Sequence, residues 1–363
     1  MQIALICNSA FGTDGITKFV LNNHSAFSRK DFRYHLIYSS IHSSEIIVKK
    51  YIEDFCKDGD KAIFIPKRDG IVQYAKDLCR YLKNEKIDVV HVHGSSSAIL
   101  LEIIAAKCAN VKKIIAHSHS TQSNHNYIHL LLRPFVRYLS DVKLACGKYA
   151  GEWMYGKGCQ FVIIPNCIDT LKYRYDEKVR SEVRKDLGVL DDTLVIGHVG
   201  TFTEVKNHDF LLKIVKDMIS LGKSRLKLLL IGQGPFLDRI QEETNSLGLN
   251  DYVLFLGNRN DVPRVMMAMD VFCLPSLYEG FPIVSVEAQA SGIPCLLSKN
   301  ISPDVCITDL VRLLPIDEGT DFWIHELDEI PIRQSIRDIY AEQVKDAGYD
   351  IRHSASLLEM MYR

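Results

Sequence analysis

Short apolar runs alternate with amphipathic stretches from one end of this 363-residue chain to the other. Apolar runs of strand length separated by segments with helical spacing predict strands that pair in parallel through crossover connections. The pattern therefore predicts an α/β fold with doubly wound sheets. Representative predicted strands lie at 3–7, 89–93, 113–117, 194–197, 227–231 and 271–275.

The alternation pauses near Pro165 and Asn166, and we expect the charged stretch at 171–192 to be little buried. A second α/β series follows, and the chain has room for two domains of about 150 residues each. We predict one domain at 1–168, completed by a C-terminal helix at 347–363, and another at 169–346. Ligands of open parallel sheets bind beyond the carboxyl ends of the strands, so two such halves facing each other would leave a cleft between them.

Charge and cysteine content exclude several classes of protein. The 44 basic and 45 acidic side chains give a net charge of -1, whereas a protein bound globally to nucleic acid would carry a basic surplus. The ten cysteines are scattered without a C-x-x-C pair, which favours a reducing, cytoplasmic location over a zinc ribbon or a disulfide framework. No stretch approaches the roughly 20 apolar residues that span a bilayer, so we expect any membrane contact to be peripheral.

The most informative segment runs from Pro275 to Pro294. A strand is predicted to end at Pro275, and a helix to begin near Pro282 after a loop that contains Glu279. Amides at a helix N-terminus favour an anionic group such as a diphosphate, and carboxylates beside it can accept hydrogen bonds from sugar hydroxyls. The alternative is an exposed loop glutamate, with Glu287 complementing the helix dipole.

This segment matches the signature PS-x-x-EGFP-x-x-x-x-EA-x-x-x-G-x-P and resembles the retaining glycosyltransferases of family 4. The resemblance implies the GT-B fold, in which two Rossmann-like domains face each other. It also implies transfer of a sugar from a nucleotide-diphosphate sugar, with UDP as the expected nucleotide, and retention of configuration at the anomeric carbon. The acceptor domain would be the N-terminal one, and the nucleotide-sugar domain the C-terminal one.

The same resemblance implies roles for individual residues. Glu279 would contact the donor sugar as a catalytic residue, and Glu287 would bind the nucleotide ribose. Three backbone amides following Glu279 would approach the sugar and phosphates, namely those of Gly280, Phe281 and Ile283.

The segment from Gly197 to His208 resembles the family pattern G-x-V-G-R-F-x-x-x-K-N-H, in which arginine and lysine clamp the donor diphosphate. Lys206 matches the lysine, for which the alternative is an exposed loop residue, but Thr201 stands at the arginine position. A threonine hydroxyl cannot replace a charged bidentate fork. Weak donor binding, substitution by Arg259 and lost activity all remain open, and the last would make the chain a non-catalytic saccharide-binding relative.

A glycine-containing loop at 11–17 follows the first predicted strand. Glycine lets a backbone approach a ligand closely, and in the family a similar loop lies near the diphosphate and acceptor, where Gly15 is the best match. The competing interpretation is an ordinary strand-to-helix turn.

Two H-x-H pairs close successive predicted strands: His91 with His93, and His117 with His119. Members of each pair share one face of a strand and could chelate a metal, which supports an alternative function as a metal-dependent hydrolase. In the glycosyltransferase interpretation, His119 lies under the donor sugar, with His117 as the fallback. There the histidine orients the sugar during front-face attack, and the leaving diphosphate helps deprotonate the acceptor. Otherwise these are hydrogen-bonded strand-end histidines.

Asp58 and Asp60 form a D-x-D pattern, which we interpret as a polar surface turn and not as a metal site. We expect no metal ion and no cofactor, because the nucleotide sugar is a co-substrate.

Two further segments bear on the acceptor, whose binding residues the sequence does not identify. The segment at 128–139 combines bulky apolar residues with Arg133 and Arg137 and could rest on an anionic bilayer at the inner face of the cell membrane. Pro134 disfavours a helix there, and a core-facing stretch is the simpler interpretation. The region at 304–315 with Trp323 resembles family members of capsular and exopolysaccharide synthesis, which implies a saccharide or lipid-linked saccharide acceptor.

Overall fold

The computed structural model describes residues 1–12, 14–28, 30–42, 45–56, 58–67, 70–120, 126–330 and 336–363. Within them the chain forms two compact units. The first unit comprises Met1–Cys167 and Ile351–Arg363, and the second comprises Ile168–Asp350. Each unit is an α/β sandwich in which one parallel sheet carries an apolar core on each of its two faces.

The first unit is built on a seven-stranded parallel sheet in the order β5-β3-β1-β6-β7-β8-β9, beside which β2 and β4 form a two-stranded sheet. The strands are β1 (Gln2–Cys7), β2 (Phe11–Gly12), β3 (Arg33–Tyr38), β4 (Ile41–His42), β5 (Lys61–Phe64), β6 (Val89–Gly94), β7 (Lys113–Ser118), β8 (Val142–Ala145) and β9 (Val162–Ile163). The helices are α1 (Gly15–Ala26), α2 (Glu45–Cys56), α3 (Ile71–Asn84), α4 (Leu100–Cys108, after a 3-10 turn at Ser97–Ile99), α5 (Asn126–Leu139) and α6 (Lys148–Tyr155).

Burial explains why these segments adopt the predicted elements. In β1 all residues after Gln2 are buried, as expected for a parallel strand with helices on both faces. In α3 the buried residues Tyr74, Leu78 and Leu82 recur every four positions, so one stripe of the helix faces the core.

The second unit contains a six-stranded parallel sheet in the order β12-β11-β10-β13-β14-β15. Its strands are β10 (Leu194–Val199), β11 (Leu226–Ile231), β12 (Val253–Gly257), β13 (Val271–Leu274), β14 (Cys295–Ser298) and β15 (Val311–Leu314). Its helices are α7 (Thr170–Tyr173), α8 (Glu177–Asp186), α9 (His208–Ser220), α10 (Leu237–Ser246), α11 (Val262–Met267), α12 (Ile283–Ala290), α13 (Asp321–Glu329) and α14 (Ile339–Val344), with 3-10 turns at Glu204–Lys206 and Pro303–Val305.

The last helix, α15 (Ile351–Tyr362), belongs to the first unit. Its residues Ala355, Leu358 and Tyr362 are buried in the core that also contains β1. The units divide after Cys167 and after Asp350, whereas the predicted boundaries fall after 168 and before 347. Ile168 and Asp350 form a β-bridge, and both belong to the second unit.

Most residues at 171–192 are exposed, as expected, but the stretch also contains two buried arginines. Arg180 and Arg184 of α8 are both buried, and both pair with the buried carboxylate of Asp270, at 2.6 and 3.2 Å. They also donate to backbone carbonyls at the end of α11, including that of Ala268. Two of the charges in this stretch thus belong to a buried ionic contact, whereas the other charges lie at the surface.

None of the described helices combines the length and the apolar character needed to cross a membrane.

Candidate functional site

The order of the second sheet reverses between β10 and β13, which lie side by side although two strands separate them in the chain. Such a reversal is the usual ligand position of an open parallel sheet, beyond the carboxyl ends of the strands. The loop after β10 carries Lys206, and the loop after β13 carries Glu279. The sheet therefore brings together two residues that the sequence predicted from separate motifs.

Lys206 and Glu279 form an ion pair at this position. The Lys206 Nζ lies 2.8 Å from Oε1 and 2.9 Å from Oε2 of Glu279. The Ser276 hydroxyl donates a further hydrogen bond to Glu279 Oε1. The two charged side chains are only 16% and 17% exposed, so their charges are held in place and still border solvent that a ligand can displace.

Backbone contacts fix the two loops against each other. Leu277 N donates to Val205 O at 2.8 Å, and Asn207 Nδ2 donates to Pro275 O at 3.1 Å. Asn207 adopts a left-handed conformation with φ of 53°, which asparagine tolerates better than most residues. This turn starts α9 and holds Lys206 on the side of Glu279.

The N-terminus of α12 follows directly. Pro282 occupies the N-cap and makes no side-chain hydrogen bond to the first-turn amides. Gly280 is exposed, and a Cβ there would meet nothing within 4 Å. Phe281 stacks on Tyr349 with ring centroids 5.5 Å apart. The predicted amides of Gly280, Phe281 and Ile283 thus belong to an uncapped helix start, which suits an anion.

Glu287 lies one turn farther along α12 and contacts Tyr173 of α7. Burial and the hydrogen bond with Glu287 raise the pKa of Tyr173 well above its usual value. Tyr173 was not predicted, because it belongs to no assigned motif and is remote from Glu287 in the chain. Ser276 lies inside the PS-x-x-EGFP signature, but no role was predicted for it.

Thr201 is exposed at the end of β10, next to the buried Phe202. The residue before Thr201 is closely packed: Gly232 has φ of 139°, and a Cβ there would lie 2.0 Å from Gly200 O. The candidate replacement cation, Arg259, is paired within its own loop, with Nε and Nη2 each 2.7 Å from the carboxylate of Asp261. Hydrogen bonding to Asp261 raises the pKa of Arg259, and Asp261 offsets its positive charge.

In the first unit, the two H-x-H pairs form one cluster. β6 and β7 are neighbours in register, with His93 opposite His117, so all four imidazoles share one face of the sheet. His91 Nε2 lies 3.2 Å from His117 Nδ1, and His93 Nδ1 lies 3.0 Å from His119 Nε2. The Tyr362 hydroxyl lies 2.9 Å from His91 Nδ1, and Phe19 of α1 packs on the cluster.

The cluster is electrically neutral. Burial lowers the pKa of His91 and of His119 to about 3, and that of His93 and His117 well below the usual value. One ring nitrogen from each of His91, His93 and His117 lies within 4.8 Å of the others, so the pairs converge as a chelating site requires. His117 is fully buried whereas His119 is partly exposed, which leaves His119 as the member of that pair that a ligand can reach.

The sheet of the first unit also reverses, between β1 and β6, and the loop predicted around Gly15 follows β1. Thr13 of that loop lies outside the described residues. Asp14 caps α1 by accepting hydrogen bonds from the amides of Ile16 and Thr17 at 2.9 and 3.2 Å. Gly15 is exposed, and a Cβ there would meet nothing within 4 Å.

The prediction that Asp60 belongs to a surface turn is wrong. Its carboxylate is buried, with Oδ2 2.8 Å from His24 Nε2 and Oδ1 accepting from Tyr34 N at 2.8 Å. Asp60 is therefore a structural partner of α1 and β3.

Family models match both units. The model of "Glycosyltransferase Family 4" matches residues 13–172, and that of "Glycosyl transferases group 1" matches residues 179–343. EpsF of Bacillus subtilis (strain 168), a protein assigned as a glycosyltransferase, is 31% identical over 327 residues, which cover 86% of this chain and 85% of EpsF. The UDP-Gal:alpha-D-GlcNAc-diphosphoundecaprenol alpha-1,3-galactosyltransferase of Escherichia coli is 28% identical over 302 residues, or 77% of this chain and 78% of that protein.

Solved structures agree on the fold. HepE of Anabaena in complex with UDP has a TM-score of 0.77 at 17% identity, with 99% of each chain covered. WaaG, a glycosyltransferase involved in lipopolysaccharide biosynthesis, has a TM-score of 0.67 at 14% identity, with 98% of each chain covered. These matches confirm the predicted GT-B fold.

Proposed function

Because the chain belongs to glycosyltransferase family 4, we propose that it transfers a hexose from a UDP-sugar to a saccharide acceptor with retention at the anomeric carbon. The observation that carries this proposal is the Lys206–Glu279 ion pair at the reversal of the second sheet, beside the uncapped start of α12. A cation and an open helix N-terminus suit a diphosphate, and an adjacent carboxylate suits a sugar hydroxyl.

The second unit supplies the donor contacts in this proposal. Lys206 releases one or both Glu279 oxygens and binds the diphosphate, which frees Glu279 to accept hydrogen bonds from the donor sugar. The amides of Gly280, Phe281 and Ile283 complete the anion site, and Glu287, oriented by Tyr173, accepts hydrogen bonds from the ribose.

His119 orients the donor sugar, and Gly15 lets the backbone of the first unit approach the diphosphate. A histidine whose pKa is lowered to about 3 is a neutral hydrogen-bonding group at physiological pH. Retention then follows from front-face attack, in which the acceptor hydroxyl loses its proton to the leaving diphosphate as the new glycosidic bond forms and the sugar–phosphate bond breaks.

The acceptor is a saccharide or lipid-linked saccharide of surface polysaccharide synthesis, and the protein acts in the cytoplasm at the inner face of the cell membrane. The similarity to EpsF and to the Escherichia coli transferase, whose acceptor carries diphosphoundecaprenol, supports this assignment. No metal cofactor is needed, since Lys206 and the helix start offset the diphosphate charge.

A second candidate function is saccharide binding without catalysis. It is favoured by Thr201, because the family pattern has an arginine at this position and Arg259 is engaged by Asp261. This candidate and the transferase differ in turnover and not in fold.

A thermal-shift panel of nucleotide sugars, in metal-free buffer and with added Mg²⁺ or Zn²⁺, tests the proposal. We expect UDP and one UDP-sugar to raise Tm without metal, and a donor that stabilises the protein to release UDP in the presence of acceptor. NMR of the glycosidic product then reports its anomeric configuration. Stabilisation without turnover would favour the saccharide-binding protein, stabilisation by Zn²⁺ alone would favour the hydrolase, and an inverted product would refute retention.

A further inference from the structure

We propose that α5 docks on a bilayer that carries anionic headgroups, through an apolar face that the fold leaves exposed. The large apolar side chains on this face have exposed fractions between 48% and 91%. They are Tyr127, Ile128, Leu130, Leu131, Phe135 and Tyr138. Positions 127, 131, 135 and 138 are spaced by four, four and three residues, which places them on one side of a helix.

The opposite side of α5 is already packed. Val136 is buried in a core of the first unit. The buried His129 accepts a hydrogen bond from Ser97 N and donates one to Trp153 O, both at 3.0 Å. Pro134 lies inside the helix without ending it. One side of α5 is therefore turned to the core, and the other to solvent.

This concentration of exposed apolar surface is unusual for the described part of the chain. Elsewhere, exposed large apolar side chains are spread over many elements, as with Leu190 and Leu221 of the second unit. Contiguous exposed apolar surface indicates an interaction site, whereas single exposed side chains need no explanation.

The charges on and beside α5 favour a lipid bilayer as the partner of its apolar face. The sequence of α5 contains no acidic residue. A groove beside it is lined by the cations Arg133, Arg137, Lys143 and Lys157 and by no acidic side chain. Aromatic and aliphatic side chains flanked by cations suit the interface of an anionic bilayer. A symmetric pairing of two copies through this patch would instead bring the same cations face to face.

Docking of α5 on a bilayer would specify how a lipid-linked acceptor reaches the protein. In this one respect it rests on the proposed function. In a parallel sheet, a helix that follows a strand begins at the carboxyl edge of that strand. The start of α5 therefore lies at the edge of the sheet of the first unit where His119 follows β7. A bilayer along α5 would hold lipid-linked saccharides near that edge.

Cosedimentation of the full chain with vesicles tests the proposal without any substrate. We expect the protein to bind phosphatidylcholine vesicles that contain about 30% phosphatidylglycerol roughly tenfold more tightly than pure phosphatidylcholine vesicles, with the difference shrinking at high salt. The double variant Leu131→Asp with Phe135→Asp should lose at least about tenfold in affinity for the anionic vesicles. Arg137→Glu with Lys157→Glu should lose about as much at low salt and little at high salt.

The matched control is Leu190→Asp with Leu221→Asp. Leu190 and Leu131 are both 71% exposed, so the control adds the same charge to apolar surface of the second unit and should bind vesicles like the wild type. All variants alter exposed side chains and should keep the wild-type circular dichroism and Tm.

Equal binding to both vesicle types, or unchanged binding by the Leu131 and Phe135 variant, would overturn the proposal. So would a wild-type dimer in solution that this variant converts to a monomer, because the face would then be an interface between copies. Loss of vesicle binding leaves UDP-dependent stabilisation intact, whereas failure of the donor panel leaves vesicle binding intact, so the two proposals fail separately.

Discussion

The two units place a helix N-terminus next to the reversal of their sheets, but they satisfy that N-terminus differently. In the first unit, the Asp14 carboxylate accepts hydrogen bonds from the first-turn amides of α1. In the second unit, α12 begins after Pro282 without a side-chain cap. Uncapped amides in the first turn of a helix can bind an external anion. Amides that a side-chain carboxylate caps are already hydrogen-bonded to a negative charge of the chain itself.

The two units also differ in the charge of the side chains near the reversal of their sheets. The second unit holds the Lys206–Glu279 pair at its reversal, while the first unit gathers four histidines whose lowered pKa values keep them neutral. The comparison indicates that the charged groups proposed to bind the diphosphate belong to the second unit, whereas the histidine cluster of the first unit suits uncharged hydroxyl groups.

Glu279→Ala should have the largest effect. Loss of its carboxylate removes the proposed contact to the donor sugar and leaves Lys206 without the partner that positions it, so turnover should fall roughly 100-fold or more. UDP release from the donor that the panel identifies measures this loss. Glu204→Ala removes an exposed carboxylate from the same loop as Lys206 and should be near wild type. Normal turnover by the Glu279 variant would refute the assignment.

His119→Ala should have the next largest effect, about tenfold to 100-fold on kcat, because one neutral hydrogen bond to the sugar is lost. His119→Asn, which keeps a hydrogen-bonding side chain, should recover part of the activity. The exposed His325 offers a control in the second unit, and His325→Ala should be silent. If His119→Ala turned over like the wild type, the first unit would contribute no catalytic residue at this position.

Sequence alone predicted most of the fold, because parallel strands are buried on both faces and stand out as apolar runs. β1 and β10 were located in this way, and the GT-B fold followed from the resemblance. β14 and β15 were missed, although β14 is fully buried; it is only four residues long and follows α12 closely. The short length of β14, and not its composition, is the reason why this strand was not predicted.

Two of the charged residues at the candidate site were predicted, but their contact was not. Lys206 and Glu279 were each identified from a motif, yet no pattern indicated that strands β10 and β13 would place them 2.8 Å apart. Tyr173 was missed because a single tyrosine carries no spacing signal. Arg180 and Arg184 were misjudged, since only the fold brings Asp270 to them and removes all three from water.

Thr201→Arg tests whether the second unit lacks a cation. An added guanidinium that reaches the diphosphate should tighten nucleotide-sugar binding about tenfold in calorimetry, the gain expected for one charge-assisted hydrogen bond. Thr203→Arg places the same charge two residues away and should gain little. Absence of a gain at Thr201 would mean that a cation is already supplied, and Arg259→Ala should then weaken binding.

Asp14→Ala should have the smallest effect on binding and a modest effect on stability. Losing the cap of α1 should cost about 1 kcal/mol in the free energy of unfolding, and Asp14→Asn, which keeps a carbonyl acceptor, should lose less. Because the amides that Asp14 binds are those of Ile16 and Thr17, and neither amide is part of the proposed diphosphate site, the rise in Tm caused by UDP should equal that of the wild type. A larger rise in the Asp14→Ala variant would show that the vacated α1 amides bind phosphate. The contrast between the two helix starts would then depend on one carboxylate and not on the fold.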